Sequence, residues 1–134
     1  NIMIKRKLVL NINAPISIGE LIDKITILQI KKEYMSGDKL KNVSNELKTL
    51  KLLLEKNNLN IDSYFFNKLK EVNSRLWDIE DNLRFKESKK EFDDNFINLA
   101  RSVYQQNDIR ASLKKEINYK YNSSIIEEKS YTAY

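Results

Sequence analysis

Apolar residues recur along most of this chain at the spacing of helices that pack against one another. Three seams with steps of three and four run through residues 40–54, 65–83 and 92–117. An earlier stretch, residues 18–30, carries a wider apolar stripe. Such steps place side chains on one face of a helix. The pattern therefore predicts an all-α fold, a bundle of four main helices.

Capping and turn residues indicate where these helices begin and end. Ser17 to Glu20 has the S-x-x-E form of a capping box, so the first helix is expected to start at Ser17. Asp62 is placed to cap the third helix. The predicted helices run from residue 17 to a stop at 36–37, and over about residues 38–56, 62–88 and 92–121.

The N-terminal residues follow a different period. Leu8, Leu10 and Ile12 alternate with other residues, which predicts a short strand over residues 7–12. A lone strand needs a partner. The candidates are the C-terminal stretches 124–126 and 130–132, or the same strand of a second subunit, so a homo-oligomer is one expected arrangement. The predicted organisation is a single domain over residues 1–134, with residues 1–13 as an N-terminal extension.

Composition narrows the chemistry and the partners. The 134 residues include no cysteine and no histidine, which excludes disulfides, thiolate metal sites and the usual general base near neutral pH. No apolar run reaches the roughly 18–20 residues of a membrane span, and no signal-peptide pattern is evident. We therefore expect a cytoplasmic protein that does not associate with a membrane. The net charge is +5, but lysines and carboxylates are intermingled, which makes nucleic acid an unexpected partner.

Arginine is used sparingly and in one region. The chain has nineteen Lys and five Arg, and four of the arginines lie between residues 75 and 110. Arg110 falls in the apolar seam of the fourth helix, where a buried cation needs a carboxylate or a ligand. We therefore expect Arg110 to be at least partly buried and bound by Glu80, Asp81 or Asp23, in that order of preference.

Polar residues at helical spacing beside the seams predict a charged cluster between helices. Two interpretations stay open: a network that fixes the register of the helices, or a pocket for a small anionic ligand. The sequence assigns neither a catalytic residue nor a cofactor. The candidate residues are Glu20, Asp23, Lys24, Trp77, Glu80, Asp81, Arg84, Arg101, Tyr104, Asn107, Asp108 and Arg110.

Two acidic pairs raise the alternative of an enzyme. Glu20 and Asp23, and likewise Asp78 and Asp81, lie one helical turn apart, as in helices that hold magnesium. This loosely resembles the all-helical nucleoside-triphosphate pyrophosphohydrolases, whose motifs are richer in Glu and closer together, so no metal site is assigned. The leading hypothesis is a binding or assembly module; the alternative is a metal-dependent or electrostatic enzyme acting on a phosphorylated or otherwise anionic substrate.

Four collinear motifs resemble one known family. They are IGELIDKITIL at residues 18–28, LWDIED at 76–81, LARSVY at 99–104 continuing as NDIRA at 107–111, and EEKSY at 127–131. On these motifs the chain is identified, from about residue 16 onwards, as a member of a family of small bacterial and phage proteins classed as a domain of unknown function. The resemblance implies no activity or ligand. It does imply that most of the candidate residues belong to the family's sequence pattern.

Overall fold

The computed structural model describes residues 9–134, and four helices make up most of that part of the chain. They are α1 (Ile18–Tyr34), α2 (Gly37–Lys56), α3 (Ser63–Lys89) and α4 (Asp94–Lys120). The predicted all-α fold of four helices is confirmed, with boundaries close to the predicted ones. Within residues 9–134, none of the helices is apolar over a long enough stretch to cross a membrane.

Side-chain caps begin three of the helices. The Ser17 hydroxyl accepts a hydrogen bond from the backbone N–H of Glu20 at 3.0 Å, which confirms the predicted start of α1. Asp62 caps α3 by accepting from the N–H of Tyr64, as predicted. Asp93 caps α4 in the same way. Each cap satisfies a backbone donor that the first helical turn leaves without a partner.

Helix α1 is the central element of the fold. It packs against each of the other three helices, while α3 also packs against α4. One side of α1 contributes Ile22 to an apolar cluster with α3 and α4, and another side contributes Ile25 to a cluster with α2. Because α1 has apolar residues on two of its sides, it is largely buried, whereas the other helices remain about half-exposed.

The predicted N-terminal strand is not found in the residues that the structure describes. Residues 9–17 have no regular secondary structure, and Val9, Leu10 and Ile12 are exposed. The tail after α4, residues 122–134, contains no strand that could pair with them. Alternating apolar residues without a ladder of hydrogen bonds do not stabilise a strand. Residues 7 and 8 lie outside the described residues.

The α3–α4 hairpin continues beyond the end of α1. Tyr34, the last residue of α1, stacks on Trp77 of α3 with ring centroids 4.9 Å apart. From Trp77, helix α3 continues to Lys89, a distance of about 18 Å at 1.5 Å per residue. No residue from 74 to 112 is buried. We call residues 78–106 the distal hairpin.

Candidate functional site

One buried carboxylate joins three helices. Asp23 of α1 is completely buried. Arg110 of α4 binds both of its oxygens, with Nε 2.9 Å from Oδ1 and an Nη atom 2.5 Å from Oδ2. Asn73 of α3 donates to the same Oδ1 at 2.9 Å. The two-point geometry fixes the guanidinium plane in a way that a lysine could not.

Lys114 extends this arrangement along α4. Its Nζ lies 2.5 Å from Oε2 of Glu20 and 3.7 Å from Oδ2 of Asp23. Every buried side-chain nitrogen and oxygen of residues 9–134 has a hydrogen-bond partner. We call the following residues the inner network: Glu20, Asp23, Thr26, Asn73, Arg110 and Lys114.

The inner network keeps Asp23 ionised. Burial is the largest single influence and raises the pKa of Asp23, but hydrogen bonds from Arg110 and Asn73 and the charges of Arg110 and Lys114 together outweigh it. The pKa of Asp23 therefore lies below its usual value. The hydrogen bond to Asp23 likewise raises the pKa of Arg110. Each partner stabilises the charged form of the other.

A glycine brings α1 and α4 close enough for these contacts. A Cβ added to Gly19 would lie 2.5 Å from the backbone oxygen of Lys114, so any larger residue would force the helices apart. The N–H of Gly19 donates to Oδ1 of Asn118 at 2.7 Å. Glycine is thus needed here for close approach of two backbones rather than for a special φ angle.

Residues from the C-terminal end complete the cap of α1. The N–H of Ile18 donates to the Ser123 hydroxyl at 3.1 Å. The Ser17 hydroxyl donates to the Glu127 carboxylate, which also accepts from Asn118. The first turn of α1 is therefore held by side chains that lie about a hundred residues later in the sequence.

Arg110 meets the expectation of a partly buried residue bound by a carboxylate of a neighbouring helix, with 28% of its side chain exposed. The expected order of partners was wrong, because Asp23 binds it and not Glu80 or Asp81. Helices α1 and α4 run antiparallel, which places Arg110 level with Asp23. Glu80 lies seven residues past Asn73, about 10 Å further along α3, and is exposed.

Arg110 also borders a cleft between α4 and the C-terminal tail. This tail cleft has a volume of about 420 Å³ and contains several of the predicted site residues. Asp108 accepts from the Tyr134 hydroxyl at 2.6 Å and lies 3.5 Å from the Lys129 ammonium. The residues that line the cleft are Val103, Tyr104, Asn107, Asp108, Arg110, Ala111, Lys114, Lys129 and Tyr131.

A second cleft lies on the other side of Arg110, between α1 and α3. It has a volume of about 380 Å³ and an apolar floor that includes Ile27, Ile30 and Trp77. Glu80, Asp81 and Arg84 line its edge. Arg84 is paired with Glu80 on its own helix at 3.5 Å, with both side chains at least half exposed. Such a pair contributes little to stability.

Residues 12–134 match the family of unknown function DUF6165. The chain belongs to DUF6165. The match begins at residue 12, whereas the motifs alone indicated a start near residue 16. No curated protein and no solved structure gives a significant match.

Two predicted site residues of this DUF6165 domain belong neither to the inner network nor to either of the two clefts. Lys24 is exposed on the outer side of α1, and Arg101 is exposed on α4. Sequence reasoning did not select Lys114, the second cation of the network, because lysine is this chain's ordinary surface cation. Its position one turn after Arg110 was the available signal. Lys129 was likewise not selected, although it lies within the family motif at residues 127–131.

The two acidic pairs of this DUF6165 member do not form a shared site. Glu20 and Asp23 are bound to Lys114 and Arg110, whereas Asp78 and Asp81 are exposed on α3. Among residues 9–134, no three carboxylate side chains lie close enough together to hold a metal ion.

Proposed function

We propose that this domain is a binding module that holds a small anionic ligand in the tail cleft. The observation that carries the proposal is the set of charges on its walls. Arg110, Lys114 and Lys129 all line the cleft, against a single carboxylate, Asp108. A cleft of about 420 Å³ is within the usual range for small-molecule sites.

The inner network supports this role because it positions two of the cations. Asp23 holds Arg110 through Nε and one Nη atom, and the other Nη has only a long contact of 3.4 Å with Asn107. A guanidinium has five N–H donors, so Arg110 retains donors beyond those that Asp23 uses. The ammonium of Lys114, fixed by Glu20, also has donors to spare.

The tail supplies the third cation and the aromatic walls. Lys129 contacts Asp108 at 3.5 Å, so the one carboxylate of the cleft is already partly neutralised. Tyr104 and Tyr131 line the same space. Tyrosine combines an apolar ring with a polar hydroxyl, which suits a ligand that has an apolar part beside its charged group.

The same contacts favour binding over catalysis. A general acid near neutral pH needs a carboxyl with a raised pKa, but the pKa of Asp23 is lowered. Glu20 is committed to Lys114 at 2.5 Å. Both carboxylates therefore support cations and are not placed to exchange protons with a substrate.

The proposal is tested by thermal unfolding in the presence of defined anions. Phosphate, pyrophosphate and citrate are each added over a range of concentrations, with sodium chloride at matched ionic strength as the reference. A ligand that binds only the folded state raises Tm in proportion to the logarithm of its concentration once it is above its Kd. We expect at least one of these anions to raise Tm beyond the effect of chloride.

Lys129 and Lys115 offer a matched pair of variants. Their side chains are similarly exposed, and each pairs with one carboxylate, but only Lys129 lines the tail cleft. Lys129→Gln should remove most of the anion-induced rise in Tm, and Lys115→Gln should retain it. An equal rise in both variants, or no rise with any of the three anions in the wild type, would rule out the tail cleft as the anion site.

A further inference from the structure

A line of four exposed residues runs along the distal part of α3. Asp78, Asn82, Phe85 and Lys89 follow one another at steps of four, three and four, which places them on one side of the helix. This side is turned away from the one that carries Asn73 and contacts α1. Phe85 is 61% exposed. We call these four residues the outer stripe.

The outer stripe borders an unfilled space. Asn82 and Phe85 line a cleft of about 310 Å³ between α3 and α4, whose opposite wall includes Asn95 and Leu99. The cleft lies within the distal hairpin, where two helices pack without a third layer and no side chain is buried. Long helices of this kind usually gain their stability by packing an apolar face on another element.

The charges along α3 are segregated by sign. Three carboxylates lie within residues 78–81, and four cations lie within residues 84–90 against one carboxylate, Glu87. The outer stripe has the same polarity, with Asp78 at one end and Lys89 at the other. A surface that is acidic at one end and basic at the other is complementary to a second copy of itself in the antiparallel orientation.

We propose that two copies of this chain associate through their outer stripes, antiparallel about a twofold axis near Leu83. In this arrangement Asp78 pairs with Lys89 of the second copy, and this contact occurs twice. Phe85 of each copy enters the cleft beside Asn82 of the other. Steps of three and four form the seam of antiparallel helix pairs, and the seam here uses no residue of the tail cleft.

The occupant of this surface follows from its symmetry. An unrelated partner would need its own acidic and basic ends at the same spacing, whereas a second copy supplies both. The antiparallel register that aligns Asp78 with Lys89 also sets Phe85 opposite Asn82, at the cleft. One register thus satisfies the charges and the apolar side chain together.

Sedimentation equilibrium over a hundredfold range of protein concentration tests the proposal. The wild type should show a concentration-dependent dimer that weakens at high salt, because exposed ion pairs are screened. Asp78→Lys alone and Lys89→Glu alone should each be monomeric, since both symmetric contacts then join like charges. An equimolar mixture of the two variants should associate again, since every contact between them joins opposite charges.

Lys41→Glu on α2 is the matched control, because it makes the same charge change at another exposed helical position and should leave the dimer intact. Circular dichroism and Tm establish that each variant is folded. The proposal is overturned by a wild type that is monomeric at every concentration, by single variants that associate like the wild type, or by a mixture that stays monomeric. Loss of the dimer in Lys41→Glu would also overturn the proposal, because association would then depend on the overall charge of the chain and not on the contacts of the outer stripe.

Discussion

Asp23 is the residue on which the packing of α1, α3 and α4 converges. It is fully buried and ionised, and its oxygens are bound by Arg110 from one helix and Asn73 from another. A buried ion pair does not by itself guarantee stability, because desolvation of both charges offsets their attraction. Removing only one partner is a different matter, since the remaining charge stays buried.

Arg110→Met should therefore destabilise the domain by about 3 kcal/mol, at the lower end of the range for a broken buried pair because Lys114 remains 3.7 Å from Asp23. The double variant with Asp23→Asn should recover much of this loss, because the introduced amide needs no counter-charge and can still bond Asn73. Urea unfolding of the wild type, both single variants and the double variant measures the coupling.

Arg84→Met is the control for the loss of an arginine at the molecular surface. The Arg84 side chain is 80% exposed and pairs only with Glu80 among the described residues, so its loss should change the free energy of unfolding by no more than about 0.5 kcal/mol. If Arg110→Met cost as little as Arg84→Met, the inner network would not be a structural element of the fold.

The approach of α1 to α4 depends on Gly19. Alanine usually stabilises a helix relative to glycine by about 1 kcal/mol. At this position, however, the added Cβ would meet the backbone oxygen of Lys114 at 2.5 Å. We expect Gly19→Ala to destabilise the domain by about 1–3 kcal/mol, the usual cost of overpacking. Chemical denaturation measures this loss, and Lys24→Ala on the exposed side of α1 should cost far less.

A gain in stability for Gly19→Ala would show that the two helices separate easily. The inner network would then tolerate a wider spacing than its short contacts indicate. In that case ordinary helix propensity would govern this position.

The helices of this fold could be predicted from sequence because their signals are local. The apolar seams, the Ser17 cap and the polar interruption of the fourth seam at Arg110 each depend on residues within a few turns of one helix. The N-terminal strand could not be predicted in the same way, because alternation at Leu8, Leu10 and Ile12 forms a strand only if another segment supplies hydrogen bonds. That condition depends on the whole fold.

The partner of Arg110 was also beyond local reasoning. Its choice between Asp23 and Glu80 depends on how far α1 slides along α4, and that offset is set by contacts between backbones, such as the one at Gly19. Sequence spacing shows that two residues share a face of one helix, but it does not align one helix with another. Lys114 was overlooked for the further reason that its residue type is the commonest charged one in the chain.

Burial is uneven along the fold, because the distal hairpin has no buried residue. The free energy of unfolding should depend on pH through one buried carboxylate, that of Asp23. Since the pKa of Asp23 is lowered in the folded state, its ionisation contributes stability above its ordinary pKa of 3.8. This contribution is lost as the pH falls below that value and through the folded pKa. The free-energy difference between the wild type and Asp23→Asn should therefore be largest near neutral pH and should shrink toward about pH 3.

Urea unfolding at several pH values measures that difference. Asp81→Asn serves as the reference, because Asp81 is exposed and its removal should matter little at any pH. A difference between the wild type and Asp23→Asn that stayed constant with pH would mean that Asp23 is not ionised through its contacts with Arg110.

The cap of α1 has a consequence for how the chain is made. The first turn of α1 is completed by the side chains of Asn118, Ser123 and Glu127. The ribosome adds these residues about a hundred residues after it has added residues 17–19. Helix α1 therefore cannot reach its final packing while these residues are still being translated. Because these contacts join residues that are distant in the sequence, we expect the domain to fold as one cooperative unit once residues 118–127 are available, rather than helix by helix.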